Sequence, residues 1–192
     1  MSWERPALVA PVLCGLYGAV RLLPEAREPG PSWLIGHALL LGSLLLFVPV
    51  LAELARRARA LGRGIGRLLG PVAYVGVAAS VGQVLVDLWV GAVAEDKAAM
   101  RAMFQRVQDV PGVLPALYQV GPLLFHVGLV ALLCAAVRRS TWWSPVAGAA
   151  GVALAAAGLD LLPVAALLWV LALSPLERRT VAVGGMPAHG RP

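Results

Sequence analysis

The sequence predicts an all-α protein, a polytopic transmembrane bundle of six helices, with the last two helices short and both termini cytoplasmic. Composition is the first reason. Of the 192 residues, 59% are hydrophobic and only 14% are charged, whereas soluble domains are about 25% charged. A surface that faces water needs charged residues, so this chain favours lipid surroundings. The second reason is that the charges lie between long apolar runs.

Six apolar segments follow one another along the chain. The predicted spans cover residues 7–23, 33–52, 71–94, 114–137, 142–157 and 161–174. The first four approach the ~20 residues that a helix needs to cross a bilayer. We expect the first to be a retained helix rather than a cleaved signal, because its only basic leader residue is Arg5 and no A-x-A-like site follows it.

The last apolar block, residues 142–174, is too long for one span. As a single helix it would measure about 50 Å, against a hydrocarbon core of about 30 Å. Gly158, Asp160 and Pro163 interrupt it near its middle. We therefore expect two short helices that turn at "GLD", with one long helix as the alternative.

Loop charge supports this division and sets the orientation. The loops "RRARALGRGIGR", "RRST" and "ERRT" are rich in arginine, whereas "PEAREPGPS" and "EDKAAMRAMFQRVQDVPG" carry both signs. The positive-inside rule places the three arginine-rich loops in the cytoplasm. Six spans satisfy every loop, and five would put Arg178 and Arg179 outside. The bias toward Ala, Gly, Pro and Arg is typical of a GC-rich bacterial genome, so the predicted location is a bacterial inner (cell) membrane.

Residues 53–70 are predicted to be a basic amphipathic loop on the cytoplasmic side. Arginines recur there at helical spacing between leucines and an isoleucine, which indicates a short helix lying on anionic lipid. The expected lipid contacts are Arg56, Arg57, Arg59, Arg63 and Arg67. Membrane-flanking arginines explain the basic pI of about 10.3, so we expect no nucleic-acid partner. The tail, residues 177–192, is expected to be disordered and cytoplasmic.

The third segment carries an acid where lipid would be expected. Gly76, Ser80, Gln83, Asp87 and Gly91 share one helical face, and the opposite face is apolar. A charged carboxylate at the bilayer centre costs about 2.5–3.5 kcal/mol on insertion scales. We therefore expect this face to point into the protein.

Helix rise places other polar groups at a similar depth, in the outer half of the bundle. The predicted polar pocket comprises Ser80, Gln83, Asp87, His37, His126, Gln119, Tyr118, Arg21 and Asp160. Structural pairing between helices, a ligand or proton pathway, and catalysis all remain open for it. No metal site or cofactor is expected. The two cysteines have no CxxC partner, and the depths of His37 and His126 differ too much for haem.

Three functions compete. The first is a membrane protein of solute-binding or transport type with a pocket around Asp87, for which six helices would suggest a homodimer. The second is a membrane-embedded enzyme that acts on a lipid or isoprenoid, with Asp87, Asp160 or Glu53 as general acid. Small bacterial membrane-bound terpene cyclases offer a loose analogy for this enzyme hypothesis. The third is a non-catalytic scaffold or regulatory subunit.

A small-residue stripe, Ala147, Gly151, Ala155 and Gly158, permits close helix packing within the chain or with a second copy.

The pattern as a whole resembles the small six-helix integral membrane proteins that are common in actinobacteria. Three stretches carry the resemblance: "VDLWVGAVAEDKAAM", "GPLLFHVGLVALLCAAVRRS" and "WWSPVAGAAGVALAAAGLDLLPVAALLWVLAL". The resemblance covers nearly the whole chain. It implies a fold and a location, and no reaction or functional residue.

Overall fold

The computed structural model describes residues 4–137 and 139–176, and within those ranges it is helical with no strand. Seven α-helices are present there: α1 (Glu4–Arg21), α2 (Pro31–Ala60), α3 (Gly66–Val93), α4 (Lys97–Gln108), α5 (Gly121–Ala136), α6 (Trp143–Ala157) and α7 (Leu162–Leu173). A π-helical turn, Leu114–Val120, leads directly into α5. The all-α prediction is confirmed for the described residues. The tail 177–192 lies outside them.

In the part of the chain that the structure describes, three helical stretches are long and apolar enough to cross a membrane. They are Pro31–Ala60, Gly66–Val93 and Leu114–Ala136. Three further apolar helices are shorter, namely Pro6–Arg21, Trp143–Ala157 and Leu159–Leu173. The block 142–174 is divided where expected, because α6 ends at Ala157 and a 3-10 turn, Leu159–Leu161, precedes α7.

Helices of the bundle that follow one another along the chain run antiparallel, α4 aside, whereas α2 and α5 touch and run in the same direction. The Ser43 hydroxyl of α2 donates a hydrogen bond of 2.7 Å to the Ala10 carbonyl of α1. Trp33, near the start of α2, reaches Asp87 near the end of α3. The core is built mainly from the α2, α3 and α5 faces that meet in the centre, and includes Phe47, Leu51, Val84 and Leu129.

Glycine brings α3 and α5 close together. A Cβ on Gly76 would overlap the backbone of Phe125, and one on Gly128 would lie 2.7 Å from the Ala73 Cβ. The predicted small-residue stripe of α6 also packs within this chain in part. Gly151 faces Trp169 of α7, and Ala147 belongs to the core, whereas Gly158 faces open space.

The predicted separate helix at residues 53–70 is wrong. Helix α2 continues through Ala60, and α3 already begins at Gly66. Between them the chain reverses at Gly62, whose φ is +72°. The amides of Gly62 and Arg63 bond to the carbonyls of Arg59 and Ala58, which is the Schellman arrangement that ends helices at glycine. We call the end of the bundle that carries Arg56, Arg57, Arg59, Arg63 and Arg67 the basic end.

Helix α4 stands where the sequence predicted a loop. The Asp96 side chain caps it, accepting a hydrogen bond of 2.7 Å from the Ala99 amide. Met100 is buried, and the Phe104 ring lies 6.1 Å from that of Trp33. An ion pair of 3.3 Å joins Lys97 to Glu28 in the α1–α2 connection. Helix α4 therefore covers part of the end opposite the basic end.

Candidate functional site

A cavity of about 390 Å³ lies inside the bundle, in the half away from the basic end. Its walls come from α1, α2, α3, α5, α6 and α7 and from the turn between the last two. Of the nine residues predicted for a polar pocket, four line this cavity, namely Ser80, Gln83, Asp87 and His126. The size is that of a small-molecule site, because such pockets typically measure about 300–1,000 Å³.

The polar stripe of α3 supplies one side of the cavity. Ser80 and Asp87 are buried, Gln83 is half-buried, and Gly76 and Gly91 are buried against neighbouring helices. Val75, Leu85 and Trp89, on other faces of the same helix, are exposed. The period of 3.6 residues in the sequence therefore identifies the inward face of α3 correctly.

Asp87 is held by two aromatic residues of α2. The indole of Trp33 donates a hydrogen bond of 2.8 Å to the Asp87 backbone carbonyl. The Trp33 ring also stacks on His37, with ring centres 4.1 Å apart. Nε2 of His37 lies 3.8 Å from Oδ2 of Asp87, and both side chains are buried. The distance is that of an ion pair when the imidazole is protonated, and it is long for a direct hydrogen bond.

Both histidines of the predicted pocket use Nδ1 in the same way. Nδ1 of His37 lies 2.8 Å from the Trp33 carbonyl, and Nδ1 of His126 lies 2.7 Å from the Pro122 carbonyl. A carbonyl oxygen only accepts, so Nδ1 carries the proton in each ring. When the ring is neutral, Nε2 is consequently left as a hydrogen-bond acceptor.

Arg21 and Tyr118 complete a cluster beside Asp87, although neither is among the residues that line the cavity. The Arg21 guanidinium reaches the Tyr17 hydroxyl at 3.5 Å and lies near enough to act electrostatically on Asp87. Its Nε is buried without a hydrogen-bond partner. The Tyr118 hydroxyl is buried close to the Asp87 carboxyl but makes no hydrogen bond of ordinary geometry. The cluster therefore has unused donors.

The remaining predicted pocket residues lie elsewhere. Gln119 is exposed on the π-helical turn. Asp160 is exposed and forms an ion pair of 3.4 Å with Arg27 at the end opposite the basic end. Glu53, named with Asp87 and Asp160 as a candidate general acid, lies near the basic end. Its carboxylate accepts hydrogen bonds of 2.6–2.7 Å from Arg56 and Arg57.

The five arginines predicted to contact lipid have different surroundings. Arg56 and Arg57 bind Glu53, although most of the Arg56 side chain is exposed. Arg63 donates hydrogen bonds to the Cys134 and Ala135 carbonyls, 2.7 and 3.1 Å away, and so caps the end of α5. Arg59 and Arg67 are exposed.

The cavity residues that sequence reasoning missed include three with polar or thiol side chains from α1 and α2. Cys14 and Tyr17 come from α1 and Ser43 from α2, and all three are buried. The Cys14 thiol lies beside the Ser43 hydroxyl. Polar residues within apolar runs were the available signal for Tyr17 and Ser43. Among the described residues, no three His, Cys, Asp or Glu side chains gather as a metal site would require.

Comparison with protein-family models, curated proteins and solved structures gives no match for this chain. The resemblance to small actinobacterial six-helix membrane proteins accordingly stays a prediction.

Proposed function

We propose that this chain is a six-span protein of a bacterial cell membrane, of solute-binding or transport type, and that its cavity binds a small molecule beside Asp87. The single observation that carries the binding proposal is the cavity itself. It combines a volume of about 390 Å³, an apolar majority and a few polar groups converging from α1, α3 and α5. That combination is the usual form of a small-molecule site.

Antiparallel packing supports six spans. Helices α6 and α7 are 15 and 12 residues long, about 22 and 18 Å by helix rise. Both are shorter than a hydrocarbon core of about 30 Å, but α7 packs along α1, where a Cβ on Gly15 would lie 2.9 Å from Ala166. A short hairpin packed beside the longer helical stretch Leu114–Ala136 is compatible with local thinning of the bilayer.

Charge supports the orientation. The basic end carries five arginines and Glu53, whereas the opposite end carries both signs: Glu25, Arg27, Glu28, Lys97 and Asp160. The positive-inside rule favours a cytoplasmic basic end. Helix α1 runs antiparallel to α2, which ends at the basic end, so α1 begins there. Helix α7 in turn runs antiparallel to α1, so α7 ends at the basic end. Both termini are then cytoplasmic, and the cavity lies in the outer half.

Binding is a better account of the cavity than acid–base catalysis. Of the three carboxyls that a membrane-embedded enzyme was expected to use, Asp87 alone lines the cavity. The carboxylates of Glu53 and Asp160 are occupied by arginines. His37, which could exchange a proton with Asp87, faces that carboxylate and does not line the cavity, so it is not placed to act on a bound molecule.

The binding proposal is tested by ligand-induced stabilisation of the purified full chain. Wild type, Asp87→Asn and Asp109→Asn are screened by thermal unfolding against small amphiphiles and water-soluble solutes. A compound that binds the folded state raises the unfolding temperature by mass action. We expect at least one compound to stabilise wild type and Asp109→Asn, whose changed residue is exposed, and to stabilise Asp87→Asn less. Equal shifts in all three proteins, or no shift in any, would contradict a ligand at Asp87.

A further inference from the structure

Three polar groups around the cavity, Ser80, His126 and Asp87, present hydrogen-bond acceptors to it, beside the Gln83 amide and the Tyr17 hydroxyl, which can donate as well as accept. The Ser80 hydroxyl donates its proton to the Gly76 carbonyl, 2.9 Å away, within its own helix. The His126 ring donates from Nδ1 to the Pro122 carbonyl at 2.7 Å. Each group therefore has only lone pairs left for a ligand when the imidazole is neutral. The Asp87 carboxyl adds oxygen acceptors to the same wall. A ligand head that can both donate and accept hydrogen bonds, such as a hydroxyl, fits this wall.

The opposite wall is apolar. It is formed by Val152, Ala155 and Ala156 of α6 and by Leu159 and Leu162 at the turn into α7. These side chains offer no hydrogen bond and match a hydrocarbon body. The two walls together match an amphiphile, with its polar head toward α3 and its chain toward α6.

The cavity opens between α5 and α6. Among its lining residues, the exposed ones are Leu123 on α5, Ala156 on α6 and Leu159 in the turn that follows α6. The wall residues from α1 are buried, as are Ser43, Leu44 and Phe47 of α2. Near the basic end α5 and α6 are in contact, because a Cβ on Gly148 would lie 2.7 Å from Leu133. Toward the other end, the cavity separates them.

The surface around this opening is apolar. Val127 lies one helical turn from Leu123 on α5, and 54% of it is exposed; Leu123 itself is 60% exposed. On the other side, Leu159 in the turn that follows α6 is 46% exposed. In a membrane such faces contact acyl chains rather than water. The opening between them therefore leads into the bilayer.

We infer that the occupant of the cavity is a single-chain amphiphile with a hydroxyl or amine head, which enters sideways from the bilayer between α5 and α6. The head donates hydrogen bonds to the acceptors near Asp87, and the chain lies along α6 toward the opening at Ala156. This inference rests on the proposed binding function and adds to it the chemical class of the ligand and its route.

Photo-crosslinking in lipid nanodiscs tests this inference. The probe is dodecanol with a diazirine on its chain, and dodecanoic acid with the same diazirine is the comparison. Labelled peptides are identified by mass spectrometry. We expect labelling at Tyr17 and Ser43, which are buried away from bulk lipid, and we expect unlabelled dodecanol to suppress it. Because its carboxylate head would lie beside the Asp87 carboxyl, the acid should label exposed surfaces alone.

Variants at the opening test the route. Ala156→Phe fills the opening and should abolish the suppressible labelling of Tyr17 and Ser43. Ala150→Phe is the matched control, because Ala150 is exposed on α6 and does not line the cavity. Leu123→Ala widens the opening from the α5 side and should increase labelling. This second variant keeps the test informative if Ala156→Phe folds poorly.

Three results would overturn the inference. They are equal labelling of the buried wall by the acid, undiminished labelling in well-folded Ala156→Phe, and unchanged labelling in Leu123→Ala. If dodecanol never labels Tyr17 or Ser43 while the thermal screen finds stabilisation that depends on Asp87, the lateral route is wrong and the proposal of a binding cavity is retained. If neither crosslinking nor the thermal screen detects a ligand, the proposed binding function is wrong as well.

Discussion

At the residue scale, the acid in the third apolar run is explained by its neighbours on α2. Trp33 contributes a hydrogen bond to the Asp87 carbonyl and a stacked ring to His37, whose Nε2 faces the carboxylate. A Cβ at Gly91 would contact the Trp33 ring, so glycine makes the space that the indole fills. The polar side chain of Asp87 is thereby buried, and in the proposed membrane this burial would keep it from lipid.

Replacing Trp33 tests this arrangement. We expect Trp33→Phe to lower the free energy of unfolding by about 1–2 kcal/mol, because it removes the hydrogen bond to Asp87 and part of the packing against Gly91. Trp89→Phe is the control, since 53% of Trp89 is exposed. Far-UV circular dichroism during denaturation in detergent measures both. A loss for Trp89→Phe as large as that for Trp33→Phe would show that the indole hydrogen bond is not what stabilises this region.

At the element scale, helical periodicity in the sequence predicted the inward face of α3 correctly but did not lead to the prediction of α4 as a helix. The polar and small residues that share one face in "GVAASVGQVLVDLWVGAVA" point inward as predicted, because the other faces of this helix are apolar and exposed. Helix α4 was predicted as a loop because its sequence carries charges of both signs. Two features that indicate a helix were overlooked. Asp96 is an N-cap, and Met100, Phe104 and Val107 recur at helical spacing.

Close packing of α3 on α5 gives a prediction at this scale. We expect Gly76→Ala to lower the free energy of unfolding by about 1–3 kcal/mol, because overpacking a tight contact forces the backbone to shift. The added Cβ would overlap the backbone of Phe125. Gly64→Ala is the matched control, because a Cβ there meets nothing within 4 Å. Denaturation in detergent compares the two variants, and equal stability would contradict the tight α3–α5 contact.

At the scale of the whole molecule, the two ends of the bundle differ in charge and in covering. The basic end has the tight turn at Gly62, where Arg63 also caps α5. The opposite end is covered by α4 and tied by the pairs Lys97–Glu28 and Arg27–Asp160. Exposed ion pairs contribute only about 0–1 kcal/mol each, so apolar contacts such as those of Met100 and Phe104 are the main attachment of α4.

The orientation is tested by cysteine accessibility in a Cys134→Ser background. We expect a membrane-impermeant maleimide to label Glu25→Cys in intact spheroplasts, because the positive-inside rule leaves the α1–α2 connection outside. Gly64→Cys, in the turn at the basic end, should be labelled after lysis and not before. Labelling of Gly64→Cys in intact spheroplasts would show that the proposed orientation is wrong. Failure to label Glu25→Cys there would show that the α1–α2 connection does not lie outside.

The sequence by itself determined the helical class, the approximate limits of the apolar helices and the inward face of α3. These follow from local properties, namely hydropathy, loop charge and a period of 3.6 residues, which every compatible fold must obey. Only the tertiary structure decided which polar groups meet. Asp160 and Gln119 are exposed and lie away from the cavity, whereas Tyr17 and Ser43 are brought to it, because position along a helix does not fix the direction in which a side chain points. The rotation of each helix about its axis is set by packing with its neighbours, as glycine sets that of α3 against α5.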